Sequence, residues 1–215
     1  MARTGGDGPK GISAFVVEDG TKGLSFGGLA DKMGWRSQPT RAVQMHGCIV
    51  PSRNLLGQKG MGFSYAMASL DGGRLNIAAC SIGAAQAALD QTLAYMADRT
   101  VFGQSIDQFQ GLQFRLANIE IALQSARTFM RQAAWKLDQW HPDAIQFCAM
   151  AKKLCTEVGS DVADQCLQLH GGYGCLADYG IEKIVRDLRV HQIIEGTNEI
   201  MCMITARHLI KNAGK

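Results

Sequence analysis

The sequence predicts a mainly α protein, an antiparallel up-and-down bundle of four or five helices preceded by an incomplete β segment. Three observations carry that expectation. Beyond about residue 60, apolar residues recur at three- and four-residue steps, the period of a helix with one buried face. Ahead of that point, short runs of β-type residues are broken by turn residues. The stretches between the helical repeats are short, as antiparallel neighbours require.

In chain order, Ile12 to Val17 is one β-type run, Ala42 to Met45 another, and Gly47 to Val50 leads into Pro51. Gly23-Leu-Ser-Phe-Gly-Gly28 and Trp35-Arg-Ser-Gln-Pro-Thr40 read as loops. This is too little β structure to close a sheet or cover its own faces, so a pairing partner for these strands is expected to be missing. The first helical stripe is Ile82, Leu89, Leu93 and Met96. The second is Leu112, Leu116, Ile119, Leu123, Ala126, Met130, Ala133 and Leu137, and the third Phe147, Ala151, Leu154, Val158, Val162, Cys166 and Leu169. His141-Pro142-Asp143 stops one helix and restarts the next, with Asp143 as the predicted cap. Gly171-Gly172 supplies the left-handed position that ends the third helix, and a last helix from about 198 to 211 closes the bundle.

Composition narrows the function classes. Of 215 residues, 47% are hydrophobic and 19% charged, as in an ordinary soluble globular protein. A net charge of +3 is too small to argue for a nucleic-acid partner, and it suits an anionic small molecule only weakly. No apolar run reaches the roughly 20 residues that span a bilayer. The opening Met1-Ala-Arg-Thr-Gly-Gly-Asp-Gly-Pro-Lys-Gly11 has no hydrophobic signal core. Seven cysteines in no CxxC pairs read as reduced packing residues of an intracellular protein. A metal-binding bundle would need Glu-x-x-His pairs, and none surrounds the five histidines.

Several segments could carry chemistry. In Ile193-Ile-Glu-Gly-Thr-Asn-Glu-Ile200, Glu195 follows two large apolar residues and precedes a Thr-Asn pair suited to capping the last helix. Apolar neighbours raise a carboxylate's pKa and a helix amino end lowers it, so a base between them can be poised near neutrality. Read alone, a surface carboxylate ahead of a helix is the more ordinary reading. Arg99, in Asp98-Arg-Thr-Val-Phe-Gly-Gln104, could grip phosphate, or simply be a basic residue at a helix end. Gln168-Leu-His-Gly-Gly-Tyr-Gly174 could let backbone approach a ligand, or only terminate a helix. His170 within it reads as a packed histidine. Asp71 and Arg74 share a helix face, either as a surface pair or holding the polar edge of a ligand.

Taken together and in order, these segments resemble the acyl-CoA dehydrogenase family across nearly the whole chain. The signatures are Gly60-Met-Gly-Phe63, Asp71-Gly-Gly-Arg74, Arg99-Thr-Val-Phe-Gly103 with Gln110, Gln168-Leu-His-Gly-Gly-Tyr-Gly174 and Glu195-Gly-Thr197. Gly34-Trp-Arg-Ser-Gln-Pro-Thr-Arg-Ala-Val43 and His191-Gln-Ile-Ile-Glu-Gly-Thr-Asn-Glu199 look most like the isobutyryl-CoA dehydrogenase branch. The resemblance implies α,β-dehydrogenation of a short or branched acyl-CoA with FAD, electrons passing to an electron-transfer flavoprotein. Glu195 matches the base that takes the α-proton while a hydride leaves the β-carbon. Arg99, Phe102, Gln110, Gln168 and Gly172 match contacts to the pyrophosphate and adenosine part of FAD, with Arg99 and Gln110 serving a neighbouring subunit. Thr197 and Glu199 match positions beside FAD in the subunit's own site, although Gln is common where Glu199 stands. Asp71 and Arg74 match residues that hold the acyl–CoA end of the substrate. Ile194 replaces an aromatic residue of some relatives next to the base.

Family members usually have an amino-terminal helical domain, a middle β-domain and a carboxyl-terminal helical domain. The resemblance therefore implies that residues 1–58 are the tail of the β-domain and 59–215 the helical domain. The Thr/Ser-rich segment that holds the flavin ring has no match. A truncated or split reading frame, or an expressed fragment, is the expectation, with FAD bound weakly or not at all. The family's homotetramers are built on the bundle, so a dimer or tetramer is expected here. The compartment implied is the cytoplasm in a bacterium or the mitochondrial matrix in a eukaryote. A helical assembly module without catalysis and an acyl-CoA oxidase are the competing readings.

Overall fold

The computed structural model describes residues 1–213. Five α-helices dominate: α1 (Gly62–Asp98), α2 (Gln110–Asp138), α3 (Ala144–His170), α4 (Ile181–Arg189) and α5 (Asn198–Ala213). The chain forms two compact units, one of residues 1–32 and 36–70, the other of residues 33–35 and 71 onward.

In the first unit the strands are short. An antiparallel sheet runs in the order β1 (Ala2–Arg3), β2 (Ile12–Phe15) and β5 (Leu55–Leu56), and β3 (Leu24–Phe26) pairs with β4 (Val43–Met45). The segment 47–50 forms no strand, and Leu24–Phe26, read from sequence as loop, is one. Glycines on both sides hid it from a composition reading, but pairing of Leu24 with Met45 and Phe26 with Val43 fixes it. Buried Ser13 on β2 accepts a hydrogen bond at Oγ from the Gly60 amide at 2.9 Å. A side chain at Gly62 would lie 2.6 Å from the Ser13 carbonyl carbon, which explains the glycine of the Gly60–Phe63 signature. Phe26, Val43 and Met45 are all exposed.

The second unit holds the bundle. Its core joins Ala78, Ile82, Ala85, Leu89 and Met96 of α1 to Ile119, Leu123 and Ala126 of α2. Cys155, Val162, Cys166 and Leu169 of α3 and Ile181 of α4 complete it. The α2 stripe is the one the periodicity predicts. The α1 and α3 stripes also hold, with one departure each: Leu93 and Leu154 face outward, and Thr92 on α1 and Cys155 on α3 turn inward. At these positions close helix approach favours the smaller neighbour over the larger leucine.

Helix α4 was not foreseen. Its nine residues set Glu182, Lys183, Arg186, Asp187 and Arg189 around a stripe of Ile181, Ile184, Val185 and Leu188 at helical spacing, a period confined to two turns and therefore easily passed over beside the long stripes. Residues 33–35 dock on it: Arg186 donates to the Met33 carbonyl at 2.7 Å, and the Trp35 amide donates to the Asp187 carboxylate. Asp143 precedes α3 but does not cap it with its side chain. Its carboxylate is taken instead by Lys136, at 3.0 Å, and by the His141 ring. Gly171 does end α3 with a positive φ of 59°, and the chain continues as a 3₁₀ turn to Cys175. Cys148, Cys155 and Cys166 are buried as expected, whereas Cys80, Cys175 and Cys202 are exposed.

Candidate active site

Glu195 lies between a 3₁₀ turn (Val190–Gln192) and α5, half-buried. Its φ is 54° and that of Gly196 is 87°, so two successive residues are left-handed and turn the chain sharply into α5. Thr197 caps the helix, its hydroxyl accepting from the Ile200 amide at 3.4 Å. Glycine suits position 196 because of its φ of 87°; a Cβ there would also displace the Met201 methyl, 2.7 Å away. The Glu195 carboxylate rests on α1 at Gly73, where an added Cβ would approach Oε2 to 2.3 Å.

On either side of Gly73 in α1, Asp71 and Arg74 are both buried and joined at 2.5 Å. The predicted shared face is real, but it is an interior one. Burial lifts the Asp71 carboxyl above the usual carboxylate range, with Arg74 opposing the rise. Arg74 Nε is buried without a hydrogen-bond partner, an orphaned donor beside Gly73 that a bound polar group would satisfy.

Beneath the Glu195 turn is a residue that sequence reading missed. Lys152 of α3 is fully buried, and its ammonium donates to the Gly196 carbonyl at 2.8 Å and to Asn198 Oδ1 at 2.9 Å. Burial pushes its pKa down to about 8, with Glu199 and Glu195 pulling it upward. Cys148, Lys152, Cys155 and Gly159 recur at helical steps, so a charged residue inside a buried stripe was the available signal. Asn198, expected as a cap, is also buried in this network and reaches Thr156 at 3.1 Å. Glu199 is exposed at the first turn of α5, and its own backbone amide and the Thr197 hydroxyl hold its carboxyl low. Four residues before Glu195, buried His191 bonds Ser81 at 2.8 Å.

The other predicted residues collect elsewhere. Arg99, Gln168 and Gly172 line a cavity of about 520 Å³ together with Tyr95, Arg115 and Tyr173, and Glu195 is not among its lining residues. The Arg99 guanidinium stands 5.4 Å from the Tyr173 ring centroid. His170 packs as the sequence suggested, stacked on Tyr95 at 4.3 Å with its Nδ1 against the Cys166 carbonyl. Gly172 has open space around it, while Gly174 is pressed to the Leu167 carbonyl, so the glycine run serves both a free surface and a packed turn. Phe102 and Gln110 do not line the cavity. Gln110 starts α2. Phe102 sits at the tip of a hairpin, β6 (Thr100–Val101) with β7 (Gln104–Ser105), its φ at 51° and its side chain almost wholly exposed. Among the described residues no cluster of three His, Cys, Asp or Glu side chains is placed to hold a metal, and no helix is long and apolar enough to cross a membrane.

The family profile described as acyl-CoA dehydrogenase, C-terminal domain, matches residues 60–210. The chain belongs to the acyl-CoA dehydrogenase family. It is 48% identical to the mitochondrial isobutyryl-CoA dehydrogenase of Bos taurus over 98% of this chain and 51% of that protein. The butyryl-CoA dehydrogenase structure from Megasphaera elsdenii superposes with a TM-score of 0.90 at 37% identity, covering 95% of this chain and 54% of that one. A chain of the structure described as the electron transferring flavoprotein of Acidaminococcus fermentans matches with a TM-score of 0.90 at 40% identity, over 94% and 53%. The chain thus spans about half the length of the acyl-CoA dehydrogenases it matches, and its helical bundle is the family's carboxyl-terminal domain.

Proposed function

We propose that Glu195 is the base that removes the α-proton of a short or branched acyl-CoA thioester, in an α,β-dehydrogenation. The observation that carries this reading is the seat of its carboxylate. A half-buried carboxylate, presented on a left-handed turn, lies against bare helix backbone at Gly73, beside the buried Asp71–Arg74 pair. Desolvation and fixed orientation are what a general base needs. The Glu195 backbone amide is the chain's own donor for the thioester oxygen, which gains charge as the proton leaves. Asp71 and Arg74 hold the acyl–CoA end.

The cavity around Arg99 suits the distal part of FAD. Two guanidiniums, of Arg99 and Arg115, match a pyrophosphate, with Tyr95 and Tyr173 in the same lining. Arg99 and Gln110 serve the cofactor of a neighbouring subunit, Phe102, Gln168 and Gly172 make contacts on the same adenosine side, and Thr197 and Glu199 stand beside the subunit's own FAD. When bound, FAD supplies the hydride acceptor. An electron-transfer flavoprotein is the proposed electron acceptor, rather than the oxygen of an oxidase. Residues 1–58 are read as the tail of the middle β-domain and 59–215 as the helical domain; the flavin surroundings are completed by the portion of the relatives that this chain does not span. On α2, Phe114, Ile121 and Trp135 are exposed at seven- and fourteen-residue spacing, an apolar stripe that supports assembly into a dimer or tetramer. The compartment proposed is the mitochondrial matrix or the bacterial cytoplasm.

Two measurements test this. Titration with FAD is expected to give at most a weak flavin band in this chain alone and a strong one once the portion of the relatives that it does not span is supplied; a complemented chain that takes up none supports the non-catalytic assembly module. In flavin-loaded protein, Glu195→Gln is expected to slow exchange of the isobutyryl-CoA α-proton with D₂O by about 10²–10⁴-fold. A rate near wild type overturns the assignment.

A further inference from the structure

Glu195 occupies a left-handed backbone conformation that a non-glycine residue does not favour. A left-handed non-glycine residue persists only where its surroundings over-determine it. The surroundings here are polar and buried, which is itself unusual. An ammonium in a helical core is costly unless its hydrogen bonds are made. An apolar side chain would fill position 152 of α3 more cheaply.

We infer that Lys152 is a positioning residue for Glu195: its ammonium pins the Gly196 carbonyl and thereby holds the left-handed turn that presents the carboxylate to Gly73. The contacts are direct. Nζ donates at 2.8 Å to Gly196, the residue after Glu195, and at 2.9 Å to Asn198 Oδ1 at the start of α5. Asn198 is in turn tied to Thr156 at 3.1 Å and Glu157 at 3.4 Å on α3, so the turn is clamped to one helix through two routes. On the other side of Glu195, His191 bonds Ser81 of α1 at 2.8 Å. The turn is held at both ends, and Lys152 supplies the hold nearest the carboxylate. Charged groups facing Lys152 are Glu199 of α5, Glu195 of the turn and Glu157 of α3, which favour the ammonium, and Arg74 of α1, which opposes it. His191, from the 3₁₀ turn, also senses its charge.

The importance of this clamp for catalysis rests on Glu195 being the base, but its test does not. In ¹⁵N,¹³C-labelled protein, a coupling across the hydrogen bond from Lys152 Nζ to the Gly196 carbonyl carbon is expected. In Lys152→Met, the residual dipolar couplings of Glu195 and Gly196 should collapse to averaged values, while those of Ile82, Leu123 and Val162 keep theirs. Unchanged couplings at Glu195 and Gly196, or losses spread evenly through the core, would overturn the inference. Should Lys152→Met fail to fold, the wild-type measurement decides: absence of the Nζ–carbonyl coupling overturns it. A normal exchange rate in Glu195→Gln would remove the base and leave the Lys152 result standing, so the two failures are distinguishable.

Discussion

Replacing Lys152 by Met should remove a pH dependence from the stability of the folded chain. The folded pKa is pushed down to about 8 from an ordinary 10.5. Below pH 8 the ammonium is charged in both folded and unfolded chains, and the fold carries the whole cost of burying it. Between the two values the unfolded chain binds more protons, so stability rises with pH; above the upper one the gain is complete. The full gap corresponds to about 3 kcal/mol, of which about 1 kcal/mol falls between pH 7 and 9. Buried thiols work in the opposite direction. Cys148 and Cys155 are pushed up to about 11 and about 12, so their contribution declines above the ordinary thiol value of 9.0. The quantity to measure is therefore the difference between wild type and Lys152→Met, in which the thiols cancel. Urea unfolding at pH 7, 8 and 9 should show wild type gaining about 1 kcal/mol on the variant. A flat difference would refute the claim that a charged, desolvated lysine lies under the turn.

Three further outcomes follow from the geometry. Gly73→Ala should leave the melting temperature unchanged or raise it, since Ala favours a helix by about 1 kcal/mol; the Glu195 carboxylate, 2.3 Å from the new Cβ, must move, and a crystal structure of the variant would show it displaced. Phe102→Gly should stabilise the fold by about 1 kcal/mol in thermal melts, because the ring is almost wholly exposed and its φ of 51° is strained; the same variant should weaken FAD uptake. Leu123→Ala, at a fully buried position of α2, should cost about 2–5 kcal/mol in urea unfolding without changing the flavin titration of the protein that remains folded.

The sequence disclosed the helices wherever packing depends on period alone. The α2 stripe from Leu112 to Leu137 is the clearest case. It failed where identity outweighed period: Leu93 and Leu154 look like core and face outward, while Thr92 and Cys155 turn in. Brevity hid α4, whose Ile181, Ile184, Val185 and Leu188 keep a helical period over only nine residues, among ion pairs such as Arg186–Glu182 at 2.7 Å. Competition for one carboxylate spoiled the Asp143 cap, since Lys136 and His141 are nearer claimants than the α3 amides. At the site, Glu195, Thr197, Asp71 and Arg74 were visible as motif residues, and the structure brings Glu195 to the helix that carries the pair. Lys152 was marked only as a charge at the spacing of a buried stripe, and its partner, like the roles of Arg115 and of Gly73, depends on long-range contacts that no local spacing encodes.

The left-handed backbone at Glu195 has a consequence for any attempt to improve this protein. Substituting glycine there would relieve about 1–3 kcal/mol of backbone strain, so the residue proposed as the base is also one the fold would gain by losing. A library sorted on thermal resistance alone would therefore drift toward Glu195→Gly and discard the chemistry while enriching the scaffold. Selection for activity and selection for robustness pull this one position in opposite directions, and a screen that applies both pressures would reveal the tension as a strictly retained glutamate in an unfavourable backbone.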